Sequence, residues 1–315
     1  MAEAQFLIRH AGPHVTIQDA GRPGLSRYGV PASGAMDRPA LALANAALGN
    51  PPGAACVEVS PGGLQLELTR GAITLAVAGG GFVVEVNGQK GGSWSVLTLT
   101  AGDRMTIRPG PWGSWTYLAF AGALQAAEWL GACATHSTSG LGGGRLVFGG
   151  TLTVQNAETR PRRAGPIPCP VWCRPRHEVP LVLGPQDRFF PAHAVQALLE
   201  QPFHLTASHD RMGVRLDGPR LMPESALSIP SEAVLRGAVQ VSGDGVVTVL
   251  LADHQTTGGY PKIATLAGAE TDRFAQLRPG DTVLFRAVSP RAALLMARQR
   301  AAQTDACLAA LARKP

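Results

Sequence analysis

Ala101-Gly102-Asp103-Arg104-Met105-Thr106-Ile107-Arg108 returns, imperfectly, late in the chain as Pro279-Gly280-Asp281-Thr282-Val283-Leu284-Phe285-Arg286. Each copy is a Gly-Asp pair leading into a short β-type stretch bounded by Arg, and the first alternates between polar and apolar with the period of a strand with one buried face. Such an echo predicts two related lobes. Working outward, the same alternation runs through Leu64-Gln65-Leu66-Glu67-Leu68. Further β-type stretches, bounded by Gly and Pro, cover residues 57–59, 73–78, 82–86, 94–100, 105–107, 115–121, 246–252 and 283–288. Many short strands with frequent turns are the pattern of barrels or sandwiches, so the fold class expected is mainly β.

The 315 residues exceed what one core usually organises. With 38 Gly, 25 Pro and only 16% charged residues, the composition is turn-rich and globular, which excludes disordered and coiled-coil classes. Helices are few. Asp37 as N-cap, Pro39 early and Gly49 as a stop predict one up to Leu48. A second is expected over residues 191–200, and a third from Ser289-Pro290 into an Ala/Leu/Arg-rich tail. The Pro- and Arg-rich stretch between the strand groups has no periodicity and reads as a linker. The expected organisation is therefore an N-terminal lobe over 1–158, a linker over 159–177, a C-terminal lobe over 178–288 and a helical tail over 289–315.

The formal charge of +6 is local. Five Arg lie within residues 160–178 and five basic groups within 290–315, without the interleaved aromatics of a single-strand binding face, so no nucleic-acid partner is expected. No apolar stretch reaches the length of a spanning helix and no leader is evident, which predicts a cytoplasmic chain with no membrane partner. Five Cys without a secretory signal read as free thiols, and Cys169-Pro-Val-Trp-Cys173 lacks a second ligand pair, so no metal site is expected. The phosphate loop G-x-x-x-x-G-K-[ST] is missing, as are G-x-S-x-G, H-E-x-x-H and a Met-Lys-Met biotinylation segment. The glycine runs 79–81 and 142–144 read as bulges or turns.

Four polar, glycine-bearing segments interrupt the apolar strands: Thr16–Asp37, Gly184-Pro185-Gln186-Asp187, Ser208–Pro219 and Ala252–Ala264. In Gln255-Thr256-Thr257-Gly258-Gly259-Tyr260, paired glycines let backbone N–H groups approach an oxygen while Gln and Thr supply oriented side-chain groups. A plain Gly-Gly turn with local Thr caps explains the same residues equally well. Lys262, one of three lysines, reads either as a holder of a carboxylate or carbonyl or as a surface lysine. Asp210 and Arg211 read either as substrate groups or as a mutual or backbone pairing. Asp37 is better read as a helix cap than as a catalytic carboxylate. His136-Ser137 lacks a third group and adjacent residues rarely align for proton transfer, so no Ser-His nucleophile is expected.

Together, in order, these strings, QTTGGYPKIA and VPASGAMD above all, closely resemble the biotin-dependent carboxyltransferase family. That family contains the C subunit of 5-oxoprolinase, allophanate hydrolase subunit 2, the kinase-inhibitor antagonists and the carboxyltransferase region of urea amidolyase. The resemblance spans residues 15 to about 288. It implies two cyclophilin-like β-barrel lobes, a few short helices and a site in the groove between lobes. It further implies Lys262 and Asp210 as catalytic candidates, and Ser33, Gly34, Arg211, Gln255, Thr256, Thr257, Gly258, Gly259 and Tyr260 as substrate-binding candidates. The chain departs from the family where Cys133 replaces an Arg, His254 replaces an Arg and Ala123 replaces a Gly. A guanidinium fork is reproduced by neither Cys nor His, which leaves a shifted substrate or activity open.

The best single label implied is a subunit of an ATP-dependent amide- or lactam-processing hydrolase of the 5-oxoprolinase type. Its expected partners are a smaller homologous cyclophilin-like subunit, a lactam-utilisation subunit and a small amide or carboxylate substrate. No cofactor is expected on this chain alone, ATP and biotin being supplied through partner subunits. Biotin-dependent carboxylation of urea or an amide, and non-catalytic antagonism of a kinase inhibitor, are the alternatives.

Overall fold

A computed structural model describes residues 2–224 and 229–313. The chain divides into two compact units: residues up to Arg22 with Ser33–Arg174 and the chain from Gln303, and Pro23–Ala32 with Pro175–Ala302. Residues 159–174, expected as a linker, belong to the first unit, as does the end of the helical tail.

The first unit is built on an eleven-stranded sheet. Its main path runs Gly165–Pro166, Ser95–Thr100, Ala72–Val86, Arg104–Phe120, Leu64–Arg70, Glu3–Ala11, Thr151–Gln155, Ala123–Leu124. Two strands are far longer than expected. Residues 73–78 and 82–86 are one 15-residue strand, and 105–107 and 115–121 are one 17-residue strand. Gly79-Gly80-Gly81 does not break the first of these; it carries register shifts on either side of Gly81, so the bulge reading holds. Gly81 faces Trp112, and a Cβ there would lie 2.4 Å from the indole Nε1. Only glycine lets the ring lie across the strand.

The helix α1, Arg38–Leu48, packs on these two long strands. It starts as the sequence predicts: Asp37 is extended and its carboxylate accepts from Ala40 N at 3.0 Å, and Gly49 ends it at φ 79°.

The second unit is a closed seven-stranded barrel in the order Glu178–Leu183, Lys262–Leu266, Ala238–Val241, Val247–Leu250, Gly213–Asp217, Phe203–His209, Thr282–Ala287. The last strand closes the ring by pairing in parallel with the first. Alternate residues fill the interior, among them Val179, Leu181, Leu205, Val214, Leu216, Val239, Val249, Ile263, Val283 and Phe285. Helix α2 spans Ala192–Glu200, α3 spans Thr271–Ala275 and α4 spans Pro290–Ala312. Among the described residues no helix is long and apolar enough to cross a membrane.

The sequence echo is a structural one. In the first unit Thr100 N donates to Asp103 Oδ2 at 2.7 Å, Asp103 N returns to Thr100 O, and Gly102 takes φ 98°. In the second, Arg278 N donates to Asp281 Oδ2 at 2.8 Å, Asp281 N returns to Arg278 O, and Gly280 takes φ 89°. Each turn is then stitched to a leucine of a neighbouring strand. Gly102 N bonds Leu68 O and Leu68 N bonds Asp103 O, just as Gly280 N bonds Leu205 O and Leu205 N bonds Asp281 O.

Candidate functional site

The second unit gathers a polar cluster at the start of strand Lys262–Leu266. Lys262 is 4% exposed, which no bare ammonium tolerates without partners. Its Nζ lies 3.2 Å from Glu232 Oε2. The same carboxylate oxygen accepts from Gln186 Nε2 at 2.5 Å. Gln186 is in turn fixed to the lysine's backbone: Lys262 N donates to Gln186 Oε1 at 2.9 Å and Gln186 N donates to Lys262 O at 3.1 Å. The Gly184–Pro185 bond ahead of Gln186 is cis.

Gln240 stands opposite Lys262 in the adjacent strand. It is 4% exposed and, among the described residues, its Nε2 has no hydrogen-bond partner. Gly258 closes over it, since a Cβ at that position would meet Gln240 Nε2 at 2.6 Å and Val234 Cγ1 at 3.2 Å. Thr257–Gly258 pairs with Glu232–Ala233 as a two-stranded ribbon, extended by Ile229 N to Gly259 O and Val234 N to Thr256 O. Thr257 and Tyr260 are exposed, and no hydrogen bond among the described residues engages the side chains of Gln255, Thr256, Thr257 or Tyr260. Thus Lys262, Gly258 and the Gln255–Tyr260 loop come together, with Glu232, Gln186 and Gln240 beside them.

Asp210 and Arg211 are occupied elsewhere. Asp210 Oδ1 accepts from Met212 N at 2.8 Å and Gly213 N at 3.2 Å, closing its own turn. Arg211 is fully buried, and its Nε and Nη2 grip the Asp253 carboxylate at 2.9 Å each, with Asp253 equally buried. This guanidinium fork is engaged by a carboxylate of the chain itself. His254 follows Asp253; burial lowers its pKa and its Nδ1 lies 2.6 Å from Gln255 O. A carbonyl only accepts, so Nδ1 carries the proton.

In the first unit, Ser33 and Gly34 lead towards the α1 cap with φ 51° and 82°. A non-glycine residue in the left-handed region is strained, and Ser33 is also buried with its Oγ unpartnered among the described residues. Behind them, Glu58 Oε2 accepts from Met36 N and Tyr117 Oη, both at 2.8 Å, and Tyr117 Oη accepts from Asp37 N at 2.7 Å. Burial, then the Glu58 charge, holds the Tyr117 phenol well above its ordinary range. Cys133 gives its backbone N to Asp19 Oδ2 at 2.6 Å, and burial raises its thiol.

Residues 28–287 match the carboxyltransferase domain, subdomain A and B. The chain belongs to this carboxyltransferase family. It is 34% identical to the C subunit of 5-oxoprolinase from Escherichia coli over 88% of this chain and 89% of that one. The crystal structure of TTHA0988 is similar at 31% identity and TM-score 0.80, over 90% of this chain and 55% of the other. The chain thus spans about half of that protein. The fold of urea amidolyase from K. lactis is also similar, at TM-score 0.84 and 23% identity, over 98% of this chain and 20% of that protein.

Beside Lys262, Gln240 and Glu232 carry no motif. A glutamine inside the apolar run Ala238-Val239-Gln240-Val241 was the available signal; Glu232 reads as an ordinary surface acid.

Proposed function

We propose that the chain is the C-type subunit of a 5-oxoprolinase, acting with partner subunits to open 5-oxoproline to glutamate at the expense of ATP. The observation that carries this reading is the 34% identity to the C subunit of a 5-oxoprolinase across 89% of that protein. The cluster around Lys262 supports it chemically. A five-membered lactam with a free carboxylate needs a cation for the carboxylate and amide-type donors for the ring. Lys262 supplies the cation, and Gln186, Gln240 and the Gln255–Gly259 loop supply donors around it. Water attacks the lactam carbonyl, the ring C–N bond breaks and the nitrogen leaves as the amine of glutamate. Activation of that carbonyl by phosphoryl transfer from ATP belongs to a partner subunit in this reading.

The test is reconstitution with a smaller homologous subunit and a lactam-utilisation subunit, following ATP-dependent glutamate release. Turnover should require all three chains. Lys262→Met, which keeps the buried stem and removes the charge, should lower it roughly tenfold to hundredfold, the loss of one charge-assisted bond. Full turnover without this chain would overturn the reading. Urea carboxylation with a biotinylated partner would replace it.

A further inference from the structure

We propose that the chain's own Glu232 occupies a carboxylate-recognition subsite formed by Lys262, Gln186 and Gln240, and that a ligand carboxylate binds by displacing it. This rests on the reading above only for the identity of the ligand; the subsite itself follows from the geometry.

Lys262 and Gln186 are both buried, at 4% exposure, and converge on one carboxylate oxygen. Gln186 is pinned, since Lys262 N donates to its Oε1 and its own N donates to Lys262 O, and the Lys262 stem is confined by its burial. Two rigid donors aimed at one point form a receptor. The group that fills it is of another kind: the Glu232 side chain is 52% exposed and sits on a ribbon of two residues per strand. Rotating that side chain into water empties the subsite without unfolding anything.

A second observation indicates that Glu232 is an incomplete occupant. Gln240 Nε2 is buried against Gly258 and has no partner among the described residues, although a buried amide without a hydrogen bond is costly. Glu232 satisfies Lys262 and Gln186 and leaves Gln240 unmet. A ligand with a carboxylate for the first two and an adjacent oxygen for the third would satisfy all three. The ligand class is therefore a small carboxylate with a neighbouring carbonyl, and 5-oxoproline has this pattern. Glu232 acts as a specificity-determining residue: any entrant must outcompete an internal carboxylate, so neutral amides gain nothing from the lysine.

The experiment is calorimetric titration of the full chain with 5-oxoproline, acetate and 2-pyrrolidinone, the lactam lacking a carboxylate. Glu232→Gln keeps the side-chain shape and removes the competing charge. It should tighten 5-oxoproline and acetate by about tenfold, the scale of one charge-assisted contact, and leave 2-pyrrolidinone unchanged. A gain of binding is not produced by misfolding. Lys262→Met in the Glu232→Gln background should abolish the gain, and Gln240→Leu should weaken 5-oxoproline more than acetate. If Glu232→Gln binds carboxylates no better than the parent chain, the displacement proposal fails. In the reconstituted complex, Glu232→Gln should lower KM for 5-oxoproline while kcat is retained; a fall in kcat at constant KM would make Glu232 a proton-transfer group and overturn the proposal. A complex inactive on 5-oxoproline, with acetate still gained by Glu232→Gln, would refute the 5-oxoprolinase reading alone.

Discussion

Arg211 and Asp253 are wholly buried and joined by two bonds, so removing the aspartate takes a bidentate partner from a charge held in the interior. Asp253→Ala should therefore cost about 3–5 kcal/mol in urea unfolding, far more than a surface aspartate. Thiol chemistry gives a second prediction at this scale. Burial pushes the Cys56 thiol up to about 12, the Asn45 hydrogen bond only partly opposing it, and burial also raises Cys133. Alkylation acts on the thiolate, so native Cys56 should stay unlabelled at pH 8, and Cys133 should label slowly and faster as pH rises. Mass spectrometry of iodoacetamide-treated protein reads both; rapid Cys56 labelling would contradict its burial. Lys262 was legible in the sequence because lysine is rare here and follows QTTGGY. Glu232 was not, because its partner lies 30 residues away and only the fold joins them. Arg211 read equally as a binding group or as a pairing group, and its actual partner was hidden for the same reason: Asp253 is 42 residues distant.

Among the elements, the Gly-Asp turns make the relation between the units testable. The backbone amide of Thr100, then the Asn87 side chain, holds the Asp103 carboxyl below the ordinary aspartate range. A depressed folded value means that the stability it contributes is complete above the unfolded pKa and is lost as pH falls through the folded one. Asp103→Asn should accordingly flatten the acid limb of stability against pH below about pH 4, where an unfolded aspartate titrates, as followed by circular dichroism. An unchanged acid limb would show that the turn does not depend on the charge. Gly81→Ala should cost roughly 1–3 kcal/mol, because its methyl group would press into Trp112 at 2.4 Å. Periodicity revealed Leu64–Arg70 and the capped helix α1, where local rules and tertiary packing agree. It split the two longest strands at glycine and proline, which normally punctuate, because the ring of Trp112 that fills the gap above Gly81 is remote in sequence. Glu3–Ala11 went unread: its partner Leu64–Arg70 shows its own alternation, but Thr151–Gln155 was not read, and neither pairing is local in sequence.

In the whole molecule, chain order and unit membership do not coincide. Pro23–Ala32 belongs to the second unit although residues on both sides belong to the first, and the chain from Gln303 returns to the first. There Arg163 Nη1 donates to the last-turn carbonyls of two helices, Ala47 of α1 and Leu311 of α4, both at 3.3 Å. Leu43, Pro166, Pro168, Cys307 and Leu311 line a cavity of about 440 Å³ beside this clamp. A chain ending at Ala302 should thus lose stability in its first unit, seen as faster amide exchange over 38–48; unchanged exchange would show that the tail is dispensable. Cutting after Arg174 should leave each fragment short of a segment carried by the other, so the pair should regain native circular dichroism only when mixed. The consequence reaches into inheritance. A gene break placed after codon 174 would give two products each lacking a segment that the other encodes, so neither half should serve alone as a fusion module.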